Sequence, residues 1–140
     1  MSFPARFVKG TAETGDFDSE AAGTVHGHSA LSTANIAEGT LSCTFVVEAE
    51  TNTLTIAGKW QVSDDNSTWV DIGPQNNAAV VVLGTGTAGD DAVVTKCLEA
   101  PAGVLGWKYV RPAVVSGVTT GASTDTWSMQ VRYRKFNGFS

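Results

Sequence analysis

Residues 41–50 read LSCTFVVEAE, and residues 53–62 read TLTIAGKWQV. In the first stretch Leu41, Cys43, Phe45, Val47 and Ala49 alternate with Ser42, Thr44 and Glu48. In the second, Leu54, Ile56, Gly58, Trp60 and Val62 alternate with Thr53, Thr55, Lys59 and Gln61. A period of two marks a strand with one buried face, because successive side chains point to opposite sides of the backbone. Joined across Thr51-Asn52, the two runs predict a long hairpin.

Toward the C-terminus the same grammar repeats. Asp64-Asp65-Asn66-Ser67 predicts a turn, since short polar side chains cap their own backbone and tolerate a left-handed conformation. A short strand over Trp69–Ile72 is stopped by Gly73-Pro74. Residues 78–83, AAVVVL, hold no polar position and predict a strand covered on both faces. Strands follow around Val93–Leu98 and Trp107–Val114. Pro112 lies inside the latter pattern and predicts an edge strand or a bulge, because proline donates no hydrogen bond. In the last run, residues 124–135, Trp127, Met129, Val131 and Tyr133 oppose Thr126, Ser128, Gln130, Arg132 and Arg134. No segment carries a helical period. The reading is an all-β chain, an antiparallel β-sandwich or jelly roll of roughly seven or eight strands.

Residues 1–39 differ from residues 40–140. They are rich in Gly, Ala, Ser, Thr and acids, and their large apolar residues are Phe3, Phe7 and Phe17. This predicts an extended N-terminal arm with loops ahead of a β-sandwich domain at 40–140. Phe3 and Phe7, flanking Pro4 and Arg6, are candidate partner-contact residues. The alternative is a terminus with no ordered role.

The chain has 140 residues, the size of one domain, and can bury a core without metal or disulfide support. Its net charge is −5, which argues against a broad phosphate-binding surface and so against a nucleic-acid partner. Glu13, Asp16, Asp18 and Glu20 cluster early; Arg132, Arg134 and Lys135 cluster late. The acidic group reads either as a solvated segment or as one that meets a basic edge on a neighbouring copy. No apolar run is long enough to span a bilayer, so no membrane partner is expected. The opening MSFPARFVKG lacks the apolar core of a secretion signal, so a reducing cytoplasm is the expected place of synthesis. Cys43 and Cys97 read as small buried hydrophobes; a disulfide requires their strands to be neighbours.

Residues 84–89, GTGTAG, match a dinucleotide fingerprint, but such a site needs a helix opening from the loop. The β-branched DDAVVTKCLEA that follows suits a strand better, so the segment reads as a turn. His26 and His28 sit in the polar arm with no third ligand at fixed spacing and read as surface histidines. Asp64-Asp65 and Asp90-Asp91 read as turn residues rather than calcium ligands. Trp60 and Trp127 fall on apolar faces and read as core, while Trp69 and Trp107 stand nearer turns. No catalytic residue, metal or cofactor is expected, because no nucleophile–base pair lies on rigid elements.

Three stretches, KWQVSDDNSTWVDIG (59–73), APAGVLGWKYVRPAVVSG (100–117) and DTWSMQVRYRKF (125–136), occur in this order. Style and order together resemble tailed-bacteriophage capsid decoration (cement) proteins over roughly residues 54–136. The resemblance implies a jelly-roll domain clustered as a homotrimer on the outer surface of an icosahedral head. It further implies a major capsid protein as partner, assembly in a host bacterial cytoplasm, and an arm reaching onto the capsid. It brings no catalytic residues. A competing class is a carbohydrate- or receptor-binding β-sandwich of a tail or fibre, which requires exposed tryptophans.

Overall fold

The computed structural model describes residues 5–18, 23–49, 54–73, 80–86, 92–116, 122 and 124–136. Among these, the strands are β1 (Ala5–Lys9), β2 (Glu13–Asp16), β3 (Val25–Gly27), β4 (Leu31–Ser32), β5 (Ser42–Ala49), β6 (Leu54–Ser63), β7 (Val70–Ile72), β8 (Val80–Gly86), β9 (Ala92–Glu99), β10 (Tyr109–Ser116) and β11 (Thr126–Phe136). One 3-10 turn spans Ala102–Gly106.

The strands form two antiparallel sheets. The first has the order β1-β11-β5-β9, with β2 also on β11. The second has the order β3-β10-β6-β7, with β4 on β10 and β8 on β6. Strands β1 and β2 lie end to end along one flank of β11, facing residues 132–136 and 126–129. Pairs β3/β4 and β7/β8 likewise share a flank of β10 and of β6. Counting each end-to-end pair as one strand position leaves eight positions. In chain order their sheets read 1-8-3-6 and 2-7-4-5, the winding of a jelly roll.

The alternation read at residues 41–49 holds: Leu41, Cys43, Phe45, Val47 and Ala49 are all buried. They meet Trp127, Met129 and Val131 from β11 within the first sheet. From the second sheet come Ile56, Trp60, Val62, Val110 and Val114, all buried in the same core. Each Val, Leu, Ile, Phe or Met among them contributes about 1.5–3 kcal/mol on burial. The predicted hairpin does not form. Strand β5 pairs with β11 and β9, whereas β6 pairs with β10, β7 and β8 in the opposite sheet. Periodicity reports which face is buried; it carries no information about which strand lies alongside.

Three further expectations are corrected. Strand β8 is not covered on both faces, since Val82 is 66% exposed while Leu83 is buried. A β-bulge explains the change of side: Ala57 faces Val82 and Ile56 faces Gly84, so Leu83 is the extra residue turned into the core. Pro112 lies in a central strand rather than at an edge or bulge. It sits opposite the gap between β3 and β4, where its carbonyl accepts the His28 N–H at 2.9 Å. The flank that would demand its missing donor has no ladder there. The two histidines are not free surface side chains: one is buried and the other half-buried. His28 is buried, and His26 packs 5.0 Å from the Trp127 ring and 5.8 Å from that of Phe17.

The N-terminal segment also differs from the expected run of loops. Its four short strands add to both sheets, and Phe17 and Ile36 are buried in the core. Glu13 on β2 holds His28, which follows β3, at 3.1 Å and accepts the Ser29 N–H at 3.0 Å. This contact joins the two sheets at their shared edge. Short strands of two to five residues show little periodicity of their own, and their hydrogen bonds come from long partners elsewhere in the chain.

Candidate functional site

The proposed contact residues divide in two. Phe3 and Pro4 lie outside the described residues. Arg6 and Phe7 lie on β1, an edge strand of the first sheet, and both are exposed, Phe7 by 55%. Register places Phe7 beside Arg134 and Lys9 beside Arg132. With Arg6 facing Lys135, β1 and the end of β11 gather five of the nine cationic side chains of the chain. A hollow of about 360 Å³ lies here between Phe7, Thr40, Ser42, Arg132 and Arg134. In sequence Arg6 and Phe7 belong to the predicted arm and Arg132, Arg134 and Lys135 to a late charge cluster. Strand pairing brings Phe7, Lys9, Arg132 and Arg134 into one patch on the outer face, while Arg6 and Lys135 alternate to the other face of the same edge.

A second hollow, of about 400 Å³, lies at the opposite end of the same sheet face, lined by Asp16, Val46, Glu48 and Thr126. Asp16 and Glu48 flank Thr126 on its two neighbouring strands.

The outer face of the second sheet is arranged differently. Lys59 and Gln61 are buried there although they point away from the core. Lys59 Nζ lies 3.0 Å from Asp71 Oδ1, Gln61 Nε2 donates to the same oxygen at 3.0 Å, and Arg111 Nε donates to Gln61 Oε1 at 2.9 Å. Burial raises the Asp71 carboxyl, but the Gln61 and Lys59 contacts outweigh it and hold the group below its usual value. The Arg111 guanidinium lies 4.2 Å over the Trp69 ring. Beside this network an apolar row crosses four strands: Val25, Val115, Ala57 and Val82.

At one end of the sandwich a hollow of about 600 Å³ is lined by Asp64, Trp107, Lys108 and Tyr109. Its walls are tied together: the Thr33 hydroxyl donates to the Trp107 carbonyl, and Asp64 Oδ1 accepts the Lys108 N–H at 3.2 Å. Trp60 and Trp127 are buried, as their alternation predicts. The two cysteines lie on adjacent strands, yet Cys43 points into the core and Cys97 is exposed on the opposite face, so no disulfide joins them. Strand β8 continues through Gly86 and β9 opens at Ala92, so a strand rather than a helix follows GTGTAG. Among the described residues, no group of three or more His, Cys, Asp or Glu side chains is placed to hold a metal ion.

No family model matches the chain, and no curated protein does. Solved structures do match. A chain of the infectious bursal disease virus Gx strain superposes with a TM-score of 0.57 at 12% identity, over 98% of this chain and 34% of that one. A VP2 subviral particle of the same virus gives 0.52 at 12% identity, over 94% of this chain and 33% of that one. The chain thus spans about a third of the length of these neighbours. At such identity the likeness concerns the fold alone, and the jelly-roll strand order found above is in accord with it.

Proposed function

We propose that this chain is a virion structural protein that decorates and stabilises an icosahedral phage capsid by binding across adjacent capsid subunits. The observation that carries this reading is the jelly-roll fold, which takes up nearly the whole chain and has its likeness in virus particles. The resemblance of residues 54–136 to cement proteins narrows it to decoration of a phage head. Strand β1 supplies a free edge, and Arg6 and Phe7, with Phe3 and Pro4 ahead of them, are the assigned contact with the major capsid protein. Main-chain hydrogen bonds along an edge and one aromatic anchor suit repeated weak contacts on a lattice. Cryo-microscopy and mass spectrometry of purified particles test the proposal. Copies bound over capsid subunit junctions are expected; absence of the protein from intact heads refutes it. Phe7→Ala should reduce occupancy at limiting protein while the thermal melt stays unchanged.

A second reading has its own support in the hollow beside Trp107 and Tyr109, which sets a carboxylate next to aromatic rings, as sugar-binding sites do. A glycan array without hits, or hits that survive Trp107→Ala, sets this reading aside.

A further inference from the structure

The outer face of the first sheet is polarised in charge along its strands. At one end, Lys9, Arg132 and Arg134 share the face with the exposed Phe7. At the other end, Asp16 and Glu48 stand on either side of Thr126. Between them the face carries small or uncharged residues: Thr14, Thr44, Val46, Ser128 and Gln130. Among the described strand residues the remaining charge on this face is Glu99, which lies beyond Ser42 from Arg132. Arg134 and Thr126 are eight residues apart on one extended strand, a span of about 27 Å at roughly 3.4 Å per residue. That exceeds the screening length of about 8 Å at physiological salt. The two ends therefore do not neutralise each other within one molecule, and no ion pair is found for Lys9, Arg132, Arg134, Asp16 or Glu48 among the described residues.

We propose that this face binds a second copy of the chain, turned end for end. The midpoint between positions 126 and 134 of β11 is Gln130. A twofold axis in the plane of the contact, crossing the strands at Gln130, brings each basic end over the partner copy's acidic end. Strands β1 and β2 share one flank of β11, so the rotation sets β1 over the second copy's β2. Arg134 then comes over Thr126 of the second copy, between the Asp16 and Glu48 carboxylates, and Phe7 comes over Asp16 at the rim of the hollow. The uncharged middle lets two sheets approach to the ordinary packing distance of about 10 Å. One contact satisfies both ends at once, the mark of an isologous pair. The expected count is even, in place of the three implied by the cement-protein resemblance. The inference goes beyond the virion reading: it gives the exposed Phe7 ring to the second copy and leaves the main-chain edge of β1 to a capsid partner.

Native mass spectrometry and sedimentation of the full chain, across concentration and salt, test the pairing. A dimer that weakens as salt rises is expected. The double variant R132E/R134E and the double variant D16K/E48K should each raise the dissociation constant roughly 100-fold or more, because like charges then face one another. Mixed together, the two variants should form a heterodimer, since each restores the other's complement; this recovery also shows that both are folded. A monomer at all concentrations, an odd-numbered oligomer, a dimer indifferent to both reversals, or no recovery on mixing overturns the proposal.

Discussion

Phe17 shows how much one side chain in a polar segment can decide. It is fully buried, although the residues around it are mostly small or acidic. Phe17→Ala should destabilise the protein by about 3–5 kcal/mol, read as a lower denaturant midpoint, because it leaves a cavity at the meeting of both sheets. A segment that only draped over a finished domain would show almost no change. The cysteines give a second residue-scale test. Burial pushes the Cys43 thiol up to about 12, against a smaller opposing hydrogen bond at Gln130. The reactive thiolate is therefore scarce as well as shielded. A thiol reagent should label Cys97 in the native protein within minutes and reach Cys43 only after denaturant is added, a ratio that intact-mass measurement reads directly.

Among the elements, the turn after β6 is the one most fully specified by its own residues. Asp65 accepts the N–H groups of Thr68 at 2.7 Å and Ser67 at 2.9 Å and the Ser63 hydroxyl at 2.9 Å, while Asn66 adopts a left-handed φ of 59°. Those donors hold the Asp65 carboxyl well below the usual range. A carboxyl with a depressed folded value adds stability above its unfolded pKa, about 3.9, and loses it as pH falls further. Asp65→Ala should lower the melting temperature at pH 7 and flatten the acid limb of the melting profile below about pH 4. The residues of this turn were legible in sequence, because the chemistry is local. So were the buried faces of β5, β6 and β11, where alternation runs over eight residues or more. Strand neighbours were not legible. The polar strands β1 to β4 gain their place from the ladders of β10 and β11, roughly a hundred residues away, and the basic patch arises only when β1 joins β11. The apolar AAVVVL run misled because a single bulge turns one residue of it inward and leaves its neighbour in solvent.

At the scale of the whole molecule, the first and last parts of the chain complete one another. Removing residues 1–39 strips β1 and β2 from β11 and β3 and β4 from β10, and takes Phe17 and Ile36 out of the core. The shortened chain should lose its cooperative melt and bind a hydrophobic dye, whereas an independent domain at 40–140 would keep its transition. The same winding bears on how the protein comes into being. Strand β11 is the common neighbour of β1, β2 and β5, and β10 is that of β3, β4 and β6. Neither sheet has its central partner until the ribosome has passed residue 109 and then residue 126. The earlier strands must wait with their edges open, a state that invites pairing between nascent chains on one message. Native structure thus forms only once β11 has been made, and yield in a cell should depend on crowding of ribosomes along the transcript as much as on the stability of the finished fold.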